Sequence, residues 1–203
     1  GIVTAGNLRV LALFDKPDPL DGPFFEETIY ITPSRTPEPV QRAIEETTVR
    51  AVHALGLWHG PIHAEMRVNY AGVWMLEVAA RPIGGLCARV LPGLEELILR
   101  HAAGRPPGSI RLKDRAAGVM MVPIPAAGIY SGVAGVEDAA AIPGIGEVVI
   151  TAKEGQSLVP LPEGNSYLGF LFANGPHSHA VETALHAAHH ALRFDVRTAL
   201  PVI

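Results

Sequence analysis

The sequence contains a single cysteine, Cys87, among 203 residues. That count excludes an intrachain disulfide and a thiolate zinc cluster and suits a reducing compartment such as the cytoplasm. A basic cluster is missing as well: 16 Lys and Arg are scattered against 20 Asp and Glu, for a formal charge of −4. Nothing in that distribution offers an electrostatic footprint for nucleic acid or an anionic membrane surface. No apolar run reaches the ~18 residues that a membrane-spanning helix needs. The longest, near 116–128, is interrupted by Pro123 and Pro125. Internal repeats and low-complexity tracts are absent. The start, Gly1-Ile2-Val3-Thr4, lacks an initiator methionine, a basic n-region and a signal-peptide core. It reads as the interior of a strand, which leads us to expect a fragment of a longer chain.

What is present is apolar material, 48% of residues. That suffices for one large or two small cores and excludes global disorder. Ile2–Thr4 and 8–14 read as strands joined by an Ala5-Gly6-Asn7 turn, and 15–25 as a loop rich in proline and aspartate. A short strand follows at 28–32. Pro37 and Pro39 then open a helix over 40–55, with Gly56 as its stop. A short helix is expected near 94–102, and the polar segment 104–115 reads as a domain boundary. Beyond it, strands near 117–123, 128–136, 147–151 and 167–173, a helix over 178–192 and a strand at 194–196 describe a second module. The fold class is α+β, with domains over 1–104 and 116–203.

The most informative stretch is a pair of alternating segments, 62–68 and 73–79. Alternation puts His63, Glu65 and Arg67 on one face and Ile62, Ala64, Met66 and Val68 on the other. On the returning segment Val73, Met75, Glu77, Ala79 and Arg81 share a face, and Trp74, Leu76 and Val78 share the opposite one. A three-residue loop, Tyr70-Ala71-Gly72 with Gly72 left-handed, sets Asn69 opposite Val73, and counting back brings Glu65 opposite Glu77. Carboxylates in that relation lie about 5 Å apart at Cβ and repel unless something compensates. A divalent cation would do so, and two rigid carboxylates suit Mg²⁺. A solvated face neutralised by Arg67 or Arg81 is the plainer alternative.

The run Gly60-Pro61-Ile62-His63-Ala64-Glu65-Met66-Arg67, followed by Glu77-Val78-Ala79-Ala80-Arg81-Pro82-Ile83-Gly84-Gly85, resembles the metal-binding end of the ATP-grasp superfamily. Within it the sequence is most similar to L-amino acid ligases and related carboxylate–amine ligases. Phe14-Asp15-Lys16-Pro17, Glu26-Glu27-Thr28, Thr32-Pro33-Ser34 and the stretch Tyr167 to Ala173 resemble flanking parts of the same enzymes. The resemblance implies the C-terminal part of an ATP-grasp domain, an antiparallel sheet with helices, followed by a small α+β ligase domain. It implies ATP with Mg²⁺ or Mn²⁺ held by Glu65 and Glu77, an anion clamp in Arg81, and a substrate pocket shaped by Gly84 and Gly85. Its substrates would be a small carboxylate and an amine, such as amino acids. The adenine pocket and the phosphate-covering loop would come from an N-terminal half of the same polypeptide. A homodimer is compatible with this picture. Many ATP-grasp enzymes carry asparagine two residues after the second acid, where this chain has Ala79, and that departure favours amino acid ligases over biotin carboxylase.

Other candidates are weaker. Lys16 is a possible nucleotide contact, with a solvated loop charge as the plain alternative. His63 reads first as a hydrogen-bonded structural histidine and second as a phosphate or substrate contact. His177, His179, His186, His189 and His190 crowd the last helix without the acid that a zinc motif needs, so they read as surface or packing residues. Cys87 reads as a buried, inert thiol. Against the ligase stand a non-catalytic binding or assembly module of the same ancestry and a biotin-carboxylase-like or purine-pathway ligase.

Overall fold

The computed structural model describes residues 1–18, 28–108, 115–160, 163, 164 and 166–197. Parts of the expected 15–25 loop and of the 104–115 boundary, and Glu26 and Glu27, lie outside them. Contacts divide the chain into two compact units, Gly1–Leu13 with Pro33–Lys113, and Phe14–Thr32 with Asp114–Ile203. Residues 14–32, expected in the first domain, therefore group with the second. No helix among the described residues is long and apolar enough to cross a membrane.

In the first unit β1 (Ile2–Thr4) and β2 (Asn7–Arg9) form a hairpin. Its two-residue turn, Ala5-Gly6, has both φ values positive, at 48° and 79°, as a twist-matched tight hairpin demands. Asn7 thus belongs to β2 rather than to the turn, and β2 ends at Arg9 instead of continuing to residue 14, because the ladder with β1 runs out at Ile2↔Arg9. The other strand of the unit to pair with β1, β4 (Gly60–Pro61), was not foreseen.

Helix α1 (Glu38–Ala54) starts two residues earlier than expected, with Pro39 in its first turn, where a missing N–H costs nothing. Its buried Ile44, Thr48 and Val52 fall four residues apart and form one stripe. The Thr48 hydroxyl donates to the Ile44 carbonyl at 2.7 Å and meets Met66 Sδ at 3.8 Å. The stripe thereby backs β5 (His63–Asn69) and β6 (Gly72–Ala79), the two-stranded ribbon expected from the sequence. A 3-10 turn at Cys87–Val90 and α2 (Leu94–Ala102) complete the unit. Cys87 is buried, as expected.

His101, at the end of α2, is buried; it shares a 2.8 Å hydrogen bond with the Thr4 hydroxyl and stacks on His59 with ring centroids 3.9 Å apart. Burial first, then the positive potential of His59 and Arg9, hold its pKa below the ordinary 6.5. With the folded pKa under the unfolded one, its contribution is complete above the unfolded pKa and is lost as pH falls through the folded one. Denaturant midpoints between about pH 7.5 and 5.5 should therefore drop more steeply for the wild type than for His101→Gln, which carries no titrating group.

The second unit is built on an antiparallel sheet in the order β3 (Ile29–Thr32), β7 (Ala116–Val122), β11 (Gly169–Gly175) and β9 (Ile145–Ile150). All four residues of β3 are buried, and Asp15 bridges to Ile31 through two backbone hydrogen bonds of 2.8 and 3.0 Å. This pairing draws 14–32 out of the first unit. A second sheet has the order β10 (Ser157–Leu158), β8 (Gly128–Ala134) and β12 (Arg193–Arg197). Helix α4 (Ser178–Ala191) presents Val181, Ala184, Leu185 and Ala188 to the core, an i, i+3, i+4, i+7 stripe. Leu185 and its neighbours Leu171, Ile31 and Met120 are all but inaccessible, each such side chain contributing about 1.5–3 kcal/mol on burial. A further short helix, α3 (Val136–Ala140), was not anticipated. The expected strand over 128–136 stops before it.

Candidate functional site

Glu65 on β5 and Glu77 on β6 are direct cross-strand partners. The sequence reading placed them together, but by an incorrect count at the turn. The loop has two residues, Tyr70 and Ala71, and Asn69 pairs with Gly72, not Val73. The Asn69 side chain accepts the Ala71 N–H at 2.8 Å, an Asx turn that favours the tighter connection. The ladder then runs Val68↔Val73, Arg67↔Trp74 and Met66↔Met75, shifts by one residue, and resumes at Glu65↔Glu77, Ala64↔Val78 and His63↔Ala79. Leu76 is the additional residue of this bulge. It restores the acid pair and rotates everything between it and the turn.

Trp74 therefore lies on the acid face beside Arg67, 55% exposed, whereas alternation alone had assigned it to the opposite face. Met75 joins Met66 on the inner side. With Ala64, Met66, Val68, Val73, Met75 and Val78 turned one way, the ribbon commits the other side to His63, Glu65, Arg67, Glu77 and Trp74. Hydrophobic packing against α1 thus decides where the charges point.

The two carboxylates are unequal. The Glu65 side chain is 21% exposed and lies 3.6 Å from His63 Nε2, while Glu77 is 57% exposed and lies 4.0 Å from Arg81 Nη2. Arg81 follows β6 and also donates Nη1–H to the Pro82 carbonyl at 3.0 Å. Gly84 lies under that guanidinium, close enough that a Cβ there would stand 3.8 Å from Nη1. Glu65, Glu77, Arg81 and Gly84 are thus brought into one neighbourhood, and Gly85 continues the turn. Lys16 belongs to the second unit, where its ammonium lies 5.1 Å from the Tyr30 ring centre.

Oxygen donors on two rigid, paired strands fit a hard divalent cation such as Mg²⁺ or Mn²⁺. Among the described residues no group of three or more His, Cys, Asp and Glu is arranged to hold a metal ion. A cation at this pair would therefore complete its shell with oxygens from water or a ligand, as Mg²⁺ commonly does with phosphates.

The terminal histidines have structural partners. His177 caps α4, its Nδ1 accepting the Ala180 N–H at 3.1 Å, and His186 Nε2 lies 3.2 Å from Asp18 Oδ1. His189 is held below its ordinary pKa by burial, then by His190 and His186, with Asp18 opposing. Helix capping by histidine left no signal in the sequence, since Ser, Thr, Asp and Asn are the usual residues there.

Comparison with known proteins agrees with this architecture. Residues 2–90 match a family model described as an ATP-grasp domain, and residues 120–197 one described as L-amino acid ligase C-terminal domain 2. By these two matches residues 2–90 are of the ATP-grasp domain family, and residues 120–197 are of the L-amino acid ligase C-terminal domain family. The crystal structure of an L-amino acid ligase from Bacillus licheniformis has a TM-score of 0.83 and 26% identity, covering 97% of this chain and 50% of that one. Phosphoribosylglycinamide synthetase from Anaerococcus prevotii, at TM-score 0.75 and 14% identity, covers 96% of this chain and 51% of that one. Biotin carboxylase from Campylobacter jejuni has a TM-score of 0.65 and 16% identity, with 97% and 45% covered. The last two share the fold alone. No curated protein matches in sequence. The chain spans about half the length of these solved relatives.

Proposed function

We propose that this chain supplies the metal and phosphate end of an ATP-dependent carboxylate–amine ligase that joins small molecules, amino acids foremost, through an amide or peptide bond in the cytoplasm. The observation that carries the reading is the direct pairing of Glu65 with Glu77, with Arg81 just beyond, in a chain whose residues 120–197 are of the L-amino acid ligase C-terminal domain family. The base and the covering loop for ATP are assigned to a segment corresponding to the half of the relatives' length that this chain does not span.

In this reading a carboxylate oxygen of the substrate attacks the γ-phosphorus of ATP, ADP leaves, and an acylphosphate forms. The amine then attacks the acyl carbon, the C–O bond to phosphate breaks, and the amine gives up a proton as the amide forms. A cation held by Glu65 and Glu77 would offset the charge that gathers on the phosphate oxygens. Arg81 has the planar fork needed to grip an anionic phosphoryl or carboxylate group with two hydrogen bonds, and the bond to the Pro82 carbonyl engages one of its five N–H donors. Gly84 and Gly85 leave room beside that fork for substrate. Lys16, whose ammonium lies near the Tyr30 ring, is the proposed further phosphate contact.

The test is ATP-driven phosphate release by the full-length protein, with amino acids and bicarbonate offered separately. Release that needs two amino acids supports the proposal. Release with bicarbonate alone points to a biotin-carboxylase-like reaction, and none under any condition to a binding or assembly module. In the same assay Arg81→Lys should lower turnover about tenfold, because it keeps the charge and loses the fork. Wild-type turnover would remove Arg81 from the clamp.

A further inference from the structure

We propose that His63 is the positioning residue of the acid pair, fixing Glu65 in the orientation that cation binding requires. The inference rests on the reading of Glu65 and Glu77 as metal ligands. His63 precedes Glu65 by two residues on β5, so both side chains leave the same face of the ribbon, about 7 Å apart along the strand. Its cross-strand partner is Ala79, whose methyl group leaves the imidazole room to lean along the strand toward Glu65. It does lean that way, and Nε2 comes to 3.6 Å from Glu65 Oε1.

The two acids differ in what surrounds them. Glu77 is open to solvent beside the half-exposed Arg81, whereas the side chains of Glu65 and His63 are largely enclosed, at 21% and 12% exposed. A glutamate loses up to about 2 kcal/mol of rotamer freedom when it is fixed. A neighbouring N–H that restricts it beforehand lowers that cost at the moment of binding. The present separation exceeds a hydrogen bond by about 0.6 Å, a gap that small side-chain rotations close. With Nε2–H donating to Oε1, the second oxygen of Glu65 is left to face the cation. Outer partners of this kind commonly change metal affinity about 10- to 100-fold.

The experiment measures Mn²⁺ binding to the full-length protein in the presence of ADP, reading free Mn²⁺ by electron paramagnetic resonance, alongside ADP binding without metal. His63→Ala should weaken Mn²⁺ binding about tenfold, His63→Gln, which retains a donor near the Nε2 position, should stay within about threefold, and metal-free ADP affinity should not change in either. If Glu65→Gln and Glu77→Gln lose Mn²⁺ while His63→Ala binds it as the wild type does, the role of His63 is overturned and the metal reading stands. If none of these variants affects Mn²⁺, the metal reading falls and takes this inference with it. Equal losses in His63→Ala and His63→Gln, or a parallel loss of metal-free ADP binding, would also overturn it.

Discussion

Glu65→Gln and Glu77→Gln, each introduced into the full-length protein, should cut amino-acid-dependent phosphate release by about two orders of magnitude or more. The substitution changes one atom and one charge, so shape and packing on the ribbon are preserved. What it removes is a hard anionic oxygen, which a neutral amide replaces poorly for a cation of the Mg²⁺ class. Each variant should recover part of its activity as Mg²⁺ is raised, because one carboxylate remains. Stability should move the other way. The wild-type ladder sets two like charges directly opposite each other, an arrangement that destabilises by a few tenths to about 1 kcal/mol. Either amide relieves that repulsion, so the inactive variants should unfold at the same or a slightly higher denaturant concentration. A variant with full activity would remove the metal assignment. A variant that lost activity together with its fold would assign the acids a structural role instead.

Gly135→Ala should strongly destabilise the second unit. Gly135 precedes α3 with φ at 84°, and a Cβ built there would lie 2.0 Å from the Ala191 carbonyl oxygen, at the end of α4. Two costs combine. Left-handed backbone is worth about 1–2 kcal/mol against any residue with a Cβ, and the clash is with backbone, so no side-chain rotation relieves it. Separation of α3 from the end of α4 should bring the total to roughly 3 kcal/mol or more. Gly93→Ala is the control, since Gly93 has a similar φ of 88° but open space where its Cβ would fall. It should cost only the conformational part. Equal unfolding midpoints for the two variants would show that the contact with Ala191 contributes nothing.

The elements that the sequence resolved well are those with a local cause. The amphipathic period of α4, the prolines opening α1, the bounds of α2 and the alternation of β5 and β6 are set by side chains within a few residues of one another. The motif around Glu65, Glu77 and Arg81 was legible for the same reason, and the comparisons agree with the family it indicated. The bulge at Leu76 was not legible. Register across a hairpin depends on which turn closes it and on which side chains α1 accepts, and one residue of slip exchanges the faces of everything up to the turn. That is how Trp74 came to share a face with the acids. Burial of β3 against β7, with Asp15 bridged to Ile31, likewise moved residues 14–32 into the second unit, through partners some 90 residues away. By itself the sequence determined the family likeness and most of the helices and longer strands, since contiguous motifs and short-range periodicity encode those. Only the tertiary structure decided which groups face each other, because pairing, register and burial are settled between elements, not within them.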